Sequence, residues 1–228
     1  MDGIIINMLN ALGHSTFFFT KIVLLIVSNN LVKGGAIVAV LWYLWFNEKS
    51  KNSHSRAKII ITLYGCIIAI VVGRGLAKLF PFRARPMLNP EFDFTFQIAP
   101  LSDLATWSSF PSDHAVLFFS LATGIFLVSK KWGIISYAYV FFIICFPRIY
   151  LGFHYPTDIL AGAAIGIFII WGISVLKIFK IFSEKTLALS LKFPGIFYAC
   201  FFILSYQIAT LFEASRDLIS GVFHYIFQ

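Results

Sequence analysis

Three clusters of reactive side chains interrupt an otherwise apolar chain, and their types suit the transfer of a phosphoryl group. In KLFPFRARP, Lys78 is followed after six residues by Arg85 and Pro86; Pro111, Ser112, Asp113 and His114 form the second cluster. The third is RIYLGFHYPTD, with Arg148, five residues, His154, three residues and Asp158. A phosphate ester carries up to two negative charges and its transition state spreads charge over the equatorial oxygens, so fixed cations and amide donors must surround it. Lys78, Arg85 and Arg148 supply the cations, arginine as a planar fork for two oxygens and lysine as a compact point charge. Ser112 adds a hydroxyl, and the amides of Asp113 and His114 project from a helix start, where anions bind readily.

Transfer through an enzyme intermediate needs a nucleophile and a proton donor, and two histidines are present for the roles. Asp158 lies four residues beyond His154, at the start of a helix, from where its carboxylate can fold back onto the imidazole. That bond would fix the tautomer and leave the other ring nitrogen for phosphorus, which makes His154 the nucleophile. His114 has no carboxylate at comparable spacing and is assigned to protonate the leaving oxygen and then to activate water. Taken singly, each of these residues is as well read as a solvated membrane-edge side chain. No carboxylate cluster or histidine pair at ligand spacing accompanies them, so no metal and no cofactor is expected.

The elements that must position these residues are set by composition. Of 228 residues 59% are hydrophobic and 12% charged, a balance that needs lipid as solvent. Six apolar runs of helix-spanning character fall at about 31–46, 59–77, 111–129, 132–147, 159–176 and 193–212. Residues 1–30, broken by His14 and Lys21, suit an interfacial helix. The chain therefore reads as one all-α membrane domain, with a motif core at 78–158. Six spans alternate the connections between two faces; one collects Lys49, Lys51, Arg56, Lys58, Lys130, Lys131 and the lysines from 177 to 192. The positive-inside rule puts that face in the cytoplasm and the three clusters outside. The net charge of +8 is scattered without a continuous basic face, which argues against nucleic acid. Cys66, Cys145 and Cys200 read as small core residues, Gly162 and Gly166 as a packing pair, and Pro147 as the end of the fourth span. Lys33 reads as snorkelling, Arg74 and Arg83 as headgroup contacts or snorkelling, and His14, His54 and His224 as surface groups. Oligomeric state is not legible.

In order and spacing the three clusters resemble the type 2 phosphatidic acid phosphatases, whose pattern is Lys, six residues, Arg-Pro; Pro-Ser-Gly-His; and Ser-Arg, five residues, His, three residues, Asp. Two positions depart from it, with Asp113 where the family usually has Gly and Pro147 where it has Ser. The resemblance implies a membrane helix bundle with a core like that of the soluble vanadium haloperoxidases, a phosphohistidine on His154 and a membrane lipid phosphate as substrate. SFPSDHA and RIYLGFHYPTDILAG look like the branch acting on undecaprenyl diphosphate, which implies a site on the outer face of the cytoplasmic membrane and tolerance of bacitracin. For a diphosphate, Arg83 is an additional donor that Asp113 could hold in place. Rivals within the resemblance are phosphatidylglycerophosphate, phosphatidic acid and lipid A 1-phosphatases and a lipid A phosphotransferase; outside it stands a silent lipid-binding or transport protein.

Overall fold

The computed structural model describes residues 1–15, 17–47, 53–92, 94 and 105–227, and among these every regular element is helical. Helices α1 (Asp2–Ser15) and α2 (Phe17–Ser28) precede a π-helical turn, Leu31–Gly35, that runs into α3 (Ala36–Phe46). The long α4 (Ser53–Leu79) ends at the first reactive cluster. Then follow α5 (Asp113–Val128) and α6 (Lys130–Tyr139), which continues through a π-helical turn, Val140–Cys145, into α7 (Phe146–Tyr150). The chain closes with α8 (Pro156–Val175), α9 (Lys177–Lys192), α10 (Pro194–Ala209) and α11 (Glu213–Phe227).

All six predicted runs coincide with helices, but a count of six spans is not established. Among the described residues three helices are long and apolar enough to cross a bilayer alone: Ser53–Leu79, Lys130–Tyr150 and Pro156–Val175. A fourth span requires α2 and α3 together, which meet at a 71° bend. At 16 residues α5 measures only about 24 Å. It is the core of the bundle, with Ala115 to Ile125 buried against α4 and α8, so it is solvated by protein instead of lipid.

Glycine makes the tightest of these contacts possible. A Cβ on Gly162 would lie 2.6 Å from the Ser112 carbonyl, and one on Gly166 would collide with the Val116 carbonyl, so the pair lets α8 lie directly on α5. This is helix packing of the small-residue kind. Pro147 does not end its helix. The π-helical turn just before it absorbs the proline and α7 runs on to Tyr150, while the Ile144 carbonyl accepts a hydrogen bond from the Arg148 guanidinium. Cys66 and Cys145 are buried, whereas Cys200 is exposed on the outside of α10. His54 is exposed; the side chains of His14 and His224 lie outside the described residues.

Residues 1–30 do more than lie at an interface. Thr20 Oγ1 and the Tyr150 hydroxyl are hydrogen-bonded at 2.8 Å, and Asp2 reaches Arg83 and Thr157, so α1 and α2 brace the end of the bundle that carries the reactive clusters. Lys58, Lys180 and His54 gather at the opposite end.

Candidate active site

At that braced end a cavity of about 700 Å³ opens, with Arg85, Asp113, His114, Arg148 and His154 in its walls. Ser112 and Asp158 are wholly buried behind it, and Lys78 is exposed at the end of α4. Arg74, one helical turn before Lys78 on the same face, takes the place in the wall that the spacing suggested for Lys78.

Local sequence explains how the two histidines are delivered. Ser112 is the N-cap of α5, its Oγ accepting from the Ala115 amide at 3.4 Å, so Asp113 and His114 occupy the helix start. Their amides lie where a helix has no internal partner for them and where its dipole favours an anion. His154 sits in the turn between α7 and α8. Gly152 adopts φ +69°, which non-glycine residues avoid, and the amides of Phe153 and His154 return to the Arg148 carbonyl at 2.8 and 3.3 Å. Pro156 then starts α8 at its first position, with the Asp158 carboxylate accepting from the Tyr155 amide at 2.8 Å.

The tautomer of His154 is set by a different partner from the one expected. Its Nδ1 donates to the Ser109 carbonyl at 2.8 Å, while the Asp158 carboxylate stands 3.8 Å away, beyond hydrogen-bonding distance. Asp158 is committed elsewhere, to Tyr155 and to Arg83 Nη1 at 2.5 Å. The outcome for reactivity is the same, because a protonated Nδ1 leaves Nε2 with its lone pair. That Nε2 lies 3.5 Å from Arg85 Nη1, and Arg85 also donates to the Phe153 carbonyl at 2.9 Å. Burial holds the His154 imidazole below its ordinary value of 6.5, outweighing the pull of Asp158. Burial also draws Arg85 below the usual arginine value, against the carboxylates of Asp113 and Asp158.

His114 has the carboxylate partner that the sequence reading denied it. Asp113 Oδ1 lies 3.0 Å from His114 Nδ1, and Asp113 Oδ2 lies 3.8 Å from Arg74. The carboxylate that seemed misplaced beside an anion site is therefore compensated on both oxygens and orients an imidazole.

Arg83 does not face the cavity. Its guanidinium bridges Asp2 at 2.9 Å, Thr157 at 2.9 Å and Asp158 at 2.5 Å, and stacks 3.9 Å over the Tyr155 ring. Burial alone would raise the Asp2 carboxyl, but hydrogen bonds from Thr157 and Arg83 outweigh it and hold the group below the usual carboxylate value. This network clamps α1 to the His154 turn. Conversely, Lys33 and Arg216, which the sequence gave no part in chemistry, join Arg74 in the cavity wall. Among the described residues, no group of three or more His, Cys, Asp or Glu is placed to hold a metal ion.

The arrangement thus presents a neutral, oriented imidazole nitrogen, two arginines and a helix start around one space, with a second imidazole held by a carboxylate. A family model described as the PAP2 superfamily matches residues 59–181, more than half of the chain. Among curated proteins, the "Bacitracin transport permease protein BcrC" of Bacillus licheniformis is 31% identical over 135 residues, 56% of this chain and 60% of that protein. An "Undecaprenyl-diphosphatase" of Sulfolobus acidocaldarius is 34% identical over 110 residues, 48% of this chain and 50% of that protein. The "Undecaprenyl-diphosphatase BcrC" of Bacillus subtilis is 23% identical over 171 residues, 74% of this chain and 80% of that protein. The alignments to the first two relatives span between half and three fifths of their lengths. No solved structure matches the chain.

Proposed function

We propose, from the premise that this chain belongs to the PAP2 superfamily, that it hydrolyses a lipid diphosphate through a phosphohistidine on His154, with undecaprenyl diphosphate as the substrate. One observation carries the reading: with Nδ1 tied to Ser109, Nε2 of a neutral His154 opens onto a cavity that also holds Arg85, Arg148 and His114.

The chemistry follows from that placement. Arg85, Arg148 and the amides of Asp113 and His114 hold the terminal phosphate. The Nε2 lone pair attacks phosphorus, a P–N bond forms, and the bridging P–O bond breaks with its electron pair passing to the leaving oxygen. His114, steadied by Asp113, donates the proton to that oxygen. The same imidazole then takes a proton from water, whose oxygen displaces His154 from phosphorus and releases inorganic phosphate. The names of the relatives support undecaprenyl diphosphate, and the lysines at the opposite end of the bundle support a site on the outer face of the cytoplasmic membrane. Removing the diphosphate that bacitracin sequesters would make the activity protective.

The test is a phosphate-release assay of the purified protein with chelator present, over undecaprenyl diphosphate, farnesyl diphosphate, phosphatidic acid and phosphatidylglycerophosphate. The diphosphates should be cleaved with the higher kcat/KM, and acid-labile, base-stable phosphate should be trapped on the wild type and not on His154→Ala. Better cleavage of the glycerophospholipids would move the substrate, and turnover by His154→Ala would remove the mechanism.

A further inference from the structure

Cleaving a diphosphate leaves one phosphate on the lipid, and that leaving group gains a negative charge as the bridging bond breaks. A pocket built only for the terminal phosphate leaves this charge to be neutralised by the proton from His114 alone. The cavity holds more cation than the terminal phosphate requires. Beyond Arg85 and Arg148 its walls contain Lys33, Arg74 and Arg216. Carboxylates offset part of this charge. Asp113 is shared between Arg74 and His114, while Glu213 and Asp217 flank Arg216 within the first turns of α11.

Lys33 differs from Arg74, Arg85 and Arg148, each of whose side chains has a hydrogen-bond partner. Its ammonium makes no hydrogen bond or ion pair with a described residue, yet it lies within electrostatic range of Arg148, Glu213, Asp113 and Arg216, and His114 feels its charge in turn. The backbone fixes it there. Lys33 sits in the π-helical turn at the 71° bend between α2 and α3, and its amide bonds the Asn29 carbonyl at 2.9 Å. The next residue, Gly34, packs so closely on the Ala209 backbone of α10 that a Cβ would lie 2.6 Å from the Ala209 Cα. A π-helical turn within a helical segment is frequent at functional positions, and this one places a lysine in the wall of the cavity that also holds His114. Arg74 approaches from α4, with Asp113 between it and His114.

We infer that Lys33, with Arg74, forms a second phosphate subsite that holds the phosphate remaining on the lipid while His154 attacks the terminal one. This rests on the diphosphatase reading above and deepens it. The geometry follows from the reaction: the leaving oxygen must face His114, so the phosphate bearing it lies on the His114 side, where these two cations stand. As the P–O bond breaks, the electron pair on the leaving oxygen is met by the ammonium and the guanidinium as well as by the His114 proton. The subsite therefore selects diphosphates over monophosphates of the same chain.

The probes are methylenebisphosphonate, an uncleavable diphosphate, and orthophosphate, titrated by calorimetry into the full-length protein in detergent. The wild type should bind the bisphosphonate more tightly. Lys33→Met and Arg74→Gln should each weaken bisphosphonate binding by about 10- to 100-fold, the loss that goes with a charged hydrogen bond, and weaken orthophosphate far less. Retained orthophosphate binding reports an intact first site, so a misfolded variant is recognised. Equal wild-type affinity for the two anions, or wild-type bisphosphonate affinity in the two variants, would overturn the subsite. Wild-type protein that prefers the bisphosphonate but releases no phosphate from farnesyl diphosphate would leave the subsite standing and sink the diphosphatase reading instead.

Discussion

Arg83→Gln separates two accounts of the same residue. The sequence suggested a donor to substrate; the structure makes it a clamp on Asp158 and Asp2. The Asp158 carboxylate is 0% exposed, and without Arg83 it keeps only the Tyr155 amide among its charge-compensating contacts described above. Stranding a buried charge costs about 3–5 kcal/mol, but the Arg83 side chain is 34% exposed and water screens part of the pair, so about 2 kcal/mol is the better figure. The Asp2 contact lies nearer the surface and should contribute less than about 1 kcal/mol. For a chain of this size about 2 kcal/mol lowers Tm by roughly 4–8 °C. Thermal unfolding in detergent should show that drop for Arg83→Gln and a smaller one for Asp2→Asn, with the double variant falling short of the sum because the pair is shared. In the phosphate-release assay kcat should fall as the His154 turn loosens, with KM nearly unchanged. An unchanged Tm together with a raised KM for diphosphates alone would refute the clamp and put the guanidinium on the substrate.

Burial lowers the His154 pKa, so the nucleophile stays neutral below the ordinary value of 6.5, and the acid limb of kcat/KM against pH should fall below that value; a limb at pH 7 or above would contradict it. The same shift makes the unfolded chain bind the extra proton first, so this group's contribution to stability declines as pH falls below 6.5. Asp113→Ala should lower kcat more than it raises KM, by less than the roughly 10²–10⁴-fold expected for losing the acid altogether in His114→Ala; an unaltered kcat would deny Asp113 its orienting role. In a background lacking native cysteines, an impermeant reagent on intact cells should label a cysteine at Glu91 and not one at Ser53, both exposed, Ser53 at the start of α4 and Glu91 in the segment beyond its end, and the reverse would put the cavity in the cytoplasm.

The fold was legible where solvation dictates it. Long apolar runs have one stable form in lipid, a helix, and each predicted run is one. What escaped were helices whose charges interrupt the run. In α9, KIFKIFSEKTLALSLK, lysines recur every few residues, so no unbroken apolar stretch marks it as a helix. Pro147 misled for a related reason: a proline reads as a terminator when the backbone is assumed to be a regular α-helix, and the π-helical turn before it removes the conflict.

The site divides along the same line between local and distant determinants. Arg85, His114, Arg148 and His154 come from clusters contiguous in sequence, and the fold brings them to one cavity with Ser112 buried behind it. Their partners were not legible in the clusters, since a carbonyl at Ser109, a carboxylate at Asp2 and an ammonium at Lys33 reach the site only through packing. Asp113 is the instructive case, being adjacent to the histidine it holds. The expectation of a carboxylate four residues away, as at His154 and Asp158, hid it, although a residue at the first turn of a helix can turn its side chain onto its neighbour's ring. The consequence reaches the chemistry. If Asp158 oriented His154 directly, the imidazole would sit in the field of a bonded anion; with Asp158 neutralised by Arg83 and a neutral carbonyl on Nδ1 instead, an uncharged His154 faces two arginines, as the proposed nucleophilic role requires. The paired carboxylate belongs to His114, the proposed proton carrier, where burial and Arg148 work against the charged imidazole and the adjacent anion offsets part of that cost.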